Sequence, residues 1–115
     1  MQVQQLINQQ GPLPLKGGFI ADKADTALLV VTGSLWSGTA NVMLQMNVYM
    51  DGNPTPIAVL QMFSNGANTH RVLPTLFIGL PPLGPGQHTL ILALPSGSPA
   101  TSDLNDFFSA SLIFG

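Results

Sequence analysis

Two histidines and five aspartates are the side chains of this 115-residue chain that could perform acid–base chemistry. His70 is followed by Arg71, and His88 begins a predicted strand after a Gly-Pro-Gly-Gln turn. No serine lies in a Gly-x-Ser-x-Gly elbow, and no histidine pair has the spacing of a zinc site. Acid–base catalysis needs two groups whose environments separate their pKa values, and the sequence offers no such pair. We therefore predict a hydrogen-bonded, strand-end role for His88, no catalytic residue and no enzymatic activity.

The segment before the last predicted strand contains three oxygen-bearing side chains, Asp103, Asn105 and Asp106. Carboxylate and amide oxygens suit calcium, but a further carboxylate and the periodic spacing of a calcium loop are missing. The same side chains also cap turns by hydrogen bonding to nearby backbone. The sequence favours turn capping and leaves calcium at Asp103 and Asp106 open. We predict no metal site and no cofactor.

The most polar loop of the chain precedes a predicted strand and is rich in hydrogen-bonding side chains. The only tryptophan lies elsewhere, between two glycines, where it could stack on a sugar, anchor an interface or fill the core under a loop. Amides, a histidine and an arginine are what a carbohydrate or a partner loop would contact, although a plain connecting loop has the same composition. The candidate ligand-binding residues are Trp36, Asn65, Asn68, His70 and Arg71.

Charged residues make up 7% of the chain, against roughly 25% in average domains. With three Lys or Arg residues the chain cannot neutralise a phosphate backbone, so we expect no nucleic-acid partner. No apolar run reaches the ~18–20 residues of a membrane span, and the start of the chain does not resemble a secretory signal. We expect a soluble chain without membrane insertion. Its compartment stays open, with a virion or the cell exterior as candidates.

Alternation of apolar and polar residues predicts short strands throughout the chain. The clearest one runs over Asn41–Met50, ends in the hairpin signal Asp51-Gly52-Asn53 and returns over Thr55–Phe63. Pro74 is expected to move a further strand to a sheet edge or to break it. The pattern predicts an all-β antiparallel β-sandwich or jelly roll, in one domain over residues 1–115, with residues 1–16 as an N-terminal arm or edge strand. The other predicted strands are Ala27–Gly33, Thr69–Ile78, His88–Leu94 and Phe107–Phe114, with short edge strands at Val3–Ile7 and Phe19-Ile20.

Two segments near the end of the chain, Leu83–Leu92 and Asp103–Phe114, resemble the turn-and-strand and the final strand of C1q/TNF-like jelly rolls. The Gly-aromatic-aromatic-x-Phe strand of C1q domains is missing, and the chain is shorter than most members. The resemblance implies a compact, bacterial- or phage-type jelly roll whose last strand lies centrally in its sheet. It also implies a homotrimer.

The faces opposite the predicted core present uncharged polar groups, namely those of Gln45, Asn47, Tyr49, Ser109 and Ser111. Burying such groups costs less than burying charges, and interfaces are depleted in Lys and Glu. We therefore hypothesise a non-catalytic, homotrimeric structural module, such as a virion decoration or fibre-head protein, with itself or a larger assembly as partner. The alternative is a lectin-like, carbohydrate-binding trimeric module using Trp36 or the loop from Asn65 to Arg71.

Overall fold

A computed structural model describes residues 2–21 and 26–114, and within these ranges every regular element is a β-strand. The strands form two four-stranded antiparallel sheets that pack as a sandwich, which confirms the predicted fold class. No helix in the described part of the chain could cross a membrane. The strands are β1 Gln2–Gln10, β2 Leu15–Ala21, β3 Ala27–Thr32, β4 Ser34–Leu35, β5 Val42–Met50, β6 Ala58–Ser64, β7 Arg71–Val72, β8 Leu76–Leu80, β9 Gly86–Ala93 and β10 Phe107–Phe114.

The first sheet has the order β1-β10-β3-β8, the second has the order β2-β9-β5-β6, and β4 pairs with β7 in a short third sheet. All pairings are antiparallel, and neighbours within each large sheet are mostly distant in sequence. This crossing of the chain between two sheets is typical of jelly rolls. The last strand, β10, lies in the interior of its sheet between β1 and β3, as the family resemblance implies.

The core lies between the two large sheets and is built from alternate residues of each strand. In β5, Leu44, Met46 and Val48 are fully buried, which confirms the direction predicted from the alternation. In β10, Phe108 and Leu112 are likewise fully buried. Burial of apolar surface on this scale is the main stabilising term of the fold.

Several strand bounds differ from those expected, for local reasons. The return strand after the hairpin begins at Ala58 because two prolines precede it. The expected strand Thr69–Ile78 is divided into β7 and β8 around Pro74, which has no backbone N–H to donate. The strands β1 and β2 are longer than the short segments expected. Repeated glutamines in β1 and a Gly-Gly pair in β2 conceal the alternation.

The hairpin between β5 and β6 begins with a tight turn. Asp51 has a φ of 55° and Gly52 a φ of 72°, and the Asn53 N–H donates to the Met50 carbonyl at 3.1 Å. Two successive left-handed residues match the right-handed twist of the strands, which is why Asp-Gly is favoured here. The turn also places the Asp51 carboxylate beside the start of β9.

Candidate functional site

The structure brings the five predicted ligand-binding residues together at one end of the sandwich. Trp36 follows β4, Asn65 and Asn68 lie in the loop between β6 and β7, His70 precedes β7 and Arg71 begins it. The rings of Trp36 and His70 are 5.6 Å apart and tilted by 41°. Arg71 Nη2 donates to Asn65 Oδ1 at 3.2 Å. We call these five residues the loop-end cluster.

A buried carboxylate, that of Asp106, orients His70 within this cluster. Its side chain is fully buried and accepts three hydrogen bonds. Oδ1 lies 2.6 Å from Ser34 Oγ and 2.8 Å from His70 Nδ1, while Oδ2 accepts from the Asp103 N–H at 2.9 Å. Asp106 therefore connects β4, the start of β7 and its own loop, and it fixes the orientation of the His70 ring.

The hydrogen bond to Asp106 raises the pKa of His70. Partial burial of the ring opposes this increase, and the negative charges of Asp106 and Asp103 add to it. The other side of the ring remains accessible, because 38% of the His70 side chain is exposed. His70 thus combines a fixed orientation with a face that a ligand can reach.

The side chains of His70, Asp103 and Asp106 could in principle hold a metal ion, since one ligand atom from each lies within 4.8 Å of the others. Each of the two carboxylates, however, accepts a hydrogen bond from a backbone N–H of its own loop. Asp103 Oδ1 accepts from the Asn105 N–H at 2.8 Å, and Asp106 accepts from the Asp103 N–H. This confirms the turn-capping role expected from the sequence. The absence of a metal and of a cofactor stays a prediction.

Trp36 is half-buried, and its backbone pairs with the loop before β10. The Trp36 N–H donates to the Thr101 carbonyl at 3.1 Å, and the Thr101 N–H donates back at 2.7 Å. The indole Nε1 is buried without a hydrogen-bond partner among the described residues. The Trp36 ring therefore lies partly under the loops, which agrees in part with the expected alternative that this tryptophan fills the core. One side of the ring contacts His70.

His88 lies at the opposite end of the second sheet and has the strand-end role that the sequence predicts. Its Nδ1 is 2.7 Å from Asp51 Oδ2, and its Nε2 is 2.6 Å from the Gly84 carbonyl oxygen. Both partners are acceptors, so the ring satisfies both only when each nitrogen carries a proton. The bond to Asp51, followed by that to Gly84, raises the pKa of His88. Burial would raise the pKa of Asp51, but the hydrogen bonds from His88 and Thr89 outweigh it and lower this pKa.

We expect the His88–Asp51 pair to make the free energy of unfolding depend on pH. The raised pKa of His88 contributes stability fully below its ordinary value of 6.5, and the contribution is lost as the pH rises through the raised value. The lowered pKa of Asp51 contributes above its ordinary value of 3.8 and is lost as the pH falls through the lowered value. The pair is therefore most stabilising between these two ordinary values.

We expect His88→Gln to flatten the pH profile of the free energy of urea unfolding above pH 6.5, where the wild type loses the contribution of His88 as the pH rises. The pH-dependent part of the free energy of unfolding that the variant loses should be only about 1 kcal/mol. It is small because 44% of the Asp51 side chain is exposed, so solvent screens its interaction with His88. Gln87→Ala, an exposed neighbour on β9 that carries no titratable group, serves as the control and should keep the wild-type profile. An unchanged profile in His88→Gln would show that the pair does not couple to folding.

Comparison with solved structures identifies a similar fold. A carbohydrate-binding module, CBM36, in complex with calcium and xylotriose, matches the chain with a TM-score of 0.50 and 13% sequence identity over 100% of both chains. At this identity the likeness shows the β-sandwich fold. No protein-family model matches the sequence, and no curated protein matches it. The resemblance to C1q/TNF-like domains therefore stays a prediction.

Proposed function

We propose that this chain is a non-catalytic, carbohydrate-binding module and that the loop-end cluster is its ligand-binding site. The observation that carries this proposal is the meeting of two segments at one end of the sandwich: the loop from Asn65 to Arg71, with two amides, an imidazole and a guanidinium, and the indole of Trp36 after β4. Sugar hydroxyl groups pair with amides and charged donors, and their apolar ring faces pack on aromatic side chains. The fold shared with a carbohydrate-binding module supports the same proposal.

The cluster is held in place before any ligand arrives, which lowers the entropic cost of binding. Asn68 has a left-handed backbone with a φ of 57°, and its N–H donates to the Ser37 carbonyl at 2.6 Å. His70 is oriented by Asp106, and Asn65 by Arg71. The side chains of Asn65, Asn68 and His70 are exposed and can reach a ligand.

The arrangement around His70 supports binding over catalysis. In a serine-nucleophile triad the serine hydroxyl donates to the imidazole, which in turn contacts a carboxylate. Here Ser34 Oγ donates to the Asp106 carboxylate, the same oxygen that His70 contacts. The hydroxyl is therefore used to hold the carboxylate and is not activated by the histidine.

A glycan array tests the proposal. We expect saturable binding to at least one glycan, and about tenfold weaker binding for His70→Ala and for Asn68→Ala, since each loses a hydrogen bond to the ligand. Trp36→Phe keeps a ring in place and should reduce affinity less. Asn8→Ala removes an exposed amide from β1, outside the cluster, and should bind as the wild type does. An array without any bound glycan would contradict the proposal.

A second candidate function, a homotrimeric assembly module, is favoured by the outward face of the first sheet. None of the four strands β1, β10, β3 and β8 contains a charged residue. Contiguous apolar side chains point outward there, with Phe77 63% and Val3 59% exposed. The register places Phe77 beside Val30, and Ile113 between Val3 and Leu28. An uncharged face with a contiguous apolar patch is typical of interfaces between identical subunits.

Sedimentation velocity at micromolar concentration tests this second candidate. We expect a trimer for the wild type and a monomer for Phe77→Asp, because the introduced carboxylate would have to be buried without a partner. A stable wild-type monomer would contradict it. Such an assembly would serve as a virion decoration or fibre-head module, at a virion or cell exterior.

A further inference from the structure

A chain of hydrogen-bonded polar side chains follows the outer face of the second sheet. Gln61 Nε2 donates to Gln45 Oε1 at 2.9 Å, and Gln45 Nε2 donates to Asn47 Oδ1 at 2.9 Å. Asn47 Nδ2 then donates to Tyr49 Oη at 3.0 Å. We call these four residues the amide ladder. The register of β5 and β6 produces it, since Gln45 faces Gln61 directly.

All bonds of the amide ladder run in one direction, so its two ends differ. Gln61 begins the ladder as a donor, and its carbonyl oxygen makes no hydrogen bond to a described residue. Tyr49 ends the ladder as an acceptor, and its own hydroxyl proton remains available. Each amide also keeps a second N–H and a second lone pair. The ladder therefore offers both donors and acceptors to a ligand at its two ends.

The ladder is rigid at its centre and accessible at its ends. Asn47 is only 6% exposed and is hydrogen-bonded to both Gln45 and Tyr49. It therefore acts as a positioning residue that fixes the orientation of these two side chains. Gln45 and Tyr49 are half-buried, and Gln61 is exposed. Because these side chains are already ordered by one another, a ligand that binds them loses little additional side-chain entropy.

Apolar side chains flank the ladder, and charge is nearly absent from this face. Phe63 is 56% exposed and pairs with Met43, which is 44% exposed, at the end nearest the loop-end cluster. Val59 lies beside Asn47 and is 39% exposed. Among the outward residues of β2, β9, β5 and β6, Lys16 at the far edge is the only charged one. A ligand of this face is therefore neutral, polar and partly apolar.

We propose that the outer face of the second sheet binds an unbranched, neutral polysaccharide along β5, with the amide ladder contacting its hydroxyl groups. The proposal rests on the proposed carbohydrate-binding function and adds a second surface and a ligand class to it. From Gln45 to Tyr49 the strand extends about 14 Å, enough for several contacts with an extended polymer. Phe63 offers an aromatic surface for a sugar ring, and no charge on the ladder would pair with an acidic sugar.

Isothermal titration of the chain with xylohexaose, cellohexaose, maltohexaose and mannohexaose tests the inference. We expect at least one hexasaccharide to bind, and its disaccharide to bind at least tenfold more weakly, because the shorter ligand cannot span the ladder. Gln61→Ala and Tyr49→Phe should each weaken binding about tenfold, the effect of one lost hydrogen bond. Gln87→Ala, on the outer face of β9 and outside the ladder, is the matched control.

The outcomes separate this inference from the proposed function. If His70→Ala weakens hexasaccharide binding while Gln61→Ala and Tyr49→Phe do not, carbohydrate binding stands and the ladder site is wrong. The same holds if the glycan array gives binding but no neutral hexasaccharide binds. If the ladder variants instead change the sedimentation coefficient of the chain, the face binds a second copy, and the inference is overturned.

Discussion

Replacing Gly17 by alanine is expected to destabilise the fold by about 3 kcal/mol, one of the two largest effects that the structure predicts. Gly17 lies in β2, directly against β1. A Cβ atom at this position would overlap the Leu6 carbonyl oxygen and meet the Ile7 side chain at 3.0 Å. The pairing of β1 with β10 shifts register between Gln5 and Ile7, so Leu6 lies at a β-bulge. The clash is with backbone, which cannot rotate away as a side chain would.

Gly18→Ala is the matched control for this prediction. It makes the same chemical change one residue further along β2, where the nearest atom to the new Cβ is the His88 carbonyl oxygen at 3.7 Å. That separation is ordinary van der Waals contact, so we expect a change within about 0.5 kcal/mol. Urea unfolding of both variants measures the difference. Equal stabilities would contradict the close packing of β1 on β2.

Replacing Asp106 by alanine is expected to cost about 3 kcal/mol and to release His70 within the loop-end cluster. The substitution removes the acceptor of Ser34 Oγ, of the Asp103 N–H and of the His70 ring, all of them hydrogen bonds to a charged group. Because the bond to Asp106 is the main cause of the raised pKa of His70, this pKa should return toward its ordinary value.

Two measurements check the Asp106 prediction independently. Urea unfolding reports the loss of stability, and an NMR titration of the His70 ring reports its pKa. Asn105→Ala, an exposed neighbour in the same loop, should change neither quantity. If His70 in Asp106→Ala titrated as in the wild type, the carboxylate would not be what orients the histidine.

The fold was largely predictable because most strands carry a clear two-residue alternation. The strand β10 has the bounds predicted for it, and β5 begins one residue later than predicted. The lengths of β1 and β2 were underestimated. Repeated glutamines in β1 hide the alternation of apolar and polar residues, and the glycines of β2 have no side chain to bury. Their position depends instead on pairing with β10 and β9, which is long-range and has no local signal.

The candidate sites were predictable as residue types but not as geometry. The polar loop and Trp36 indicated ligand contacts, and the structure places these residues together. The role of Asp106 could not be found from the sequence, since its partners Ser34 and His70 lie 72 and 36 residues away. The polar alternation of Gln45, Asn47 and Tyr49 was visible, whereas the contribution of Gln61 depends on the register between β5 and β6.

The most direct test of carbohydrate binding is a two-dimensional ¹H–¹⁵N NMR titration of the labelled chain. The titrants are the glycans that bind the chain on the array and the four neutral hexasaccharides. We predict saturable shifts of the Asn65 and Asn68 side-chain amide signals, and shifts of the Gln45 and Gln61 side-chain amide signals when a hexasaccharide binds. A spectrum that stays unchanged at millimolar concentrations of every titrant would contradict the central claim that this sandwich binds carbohydrate.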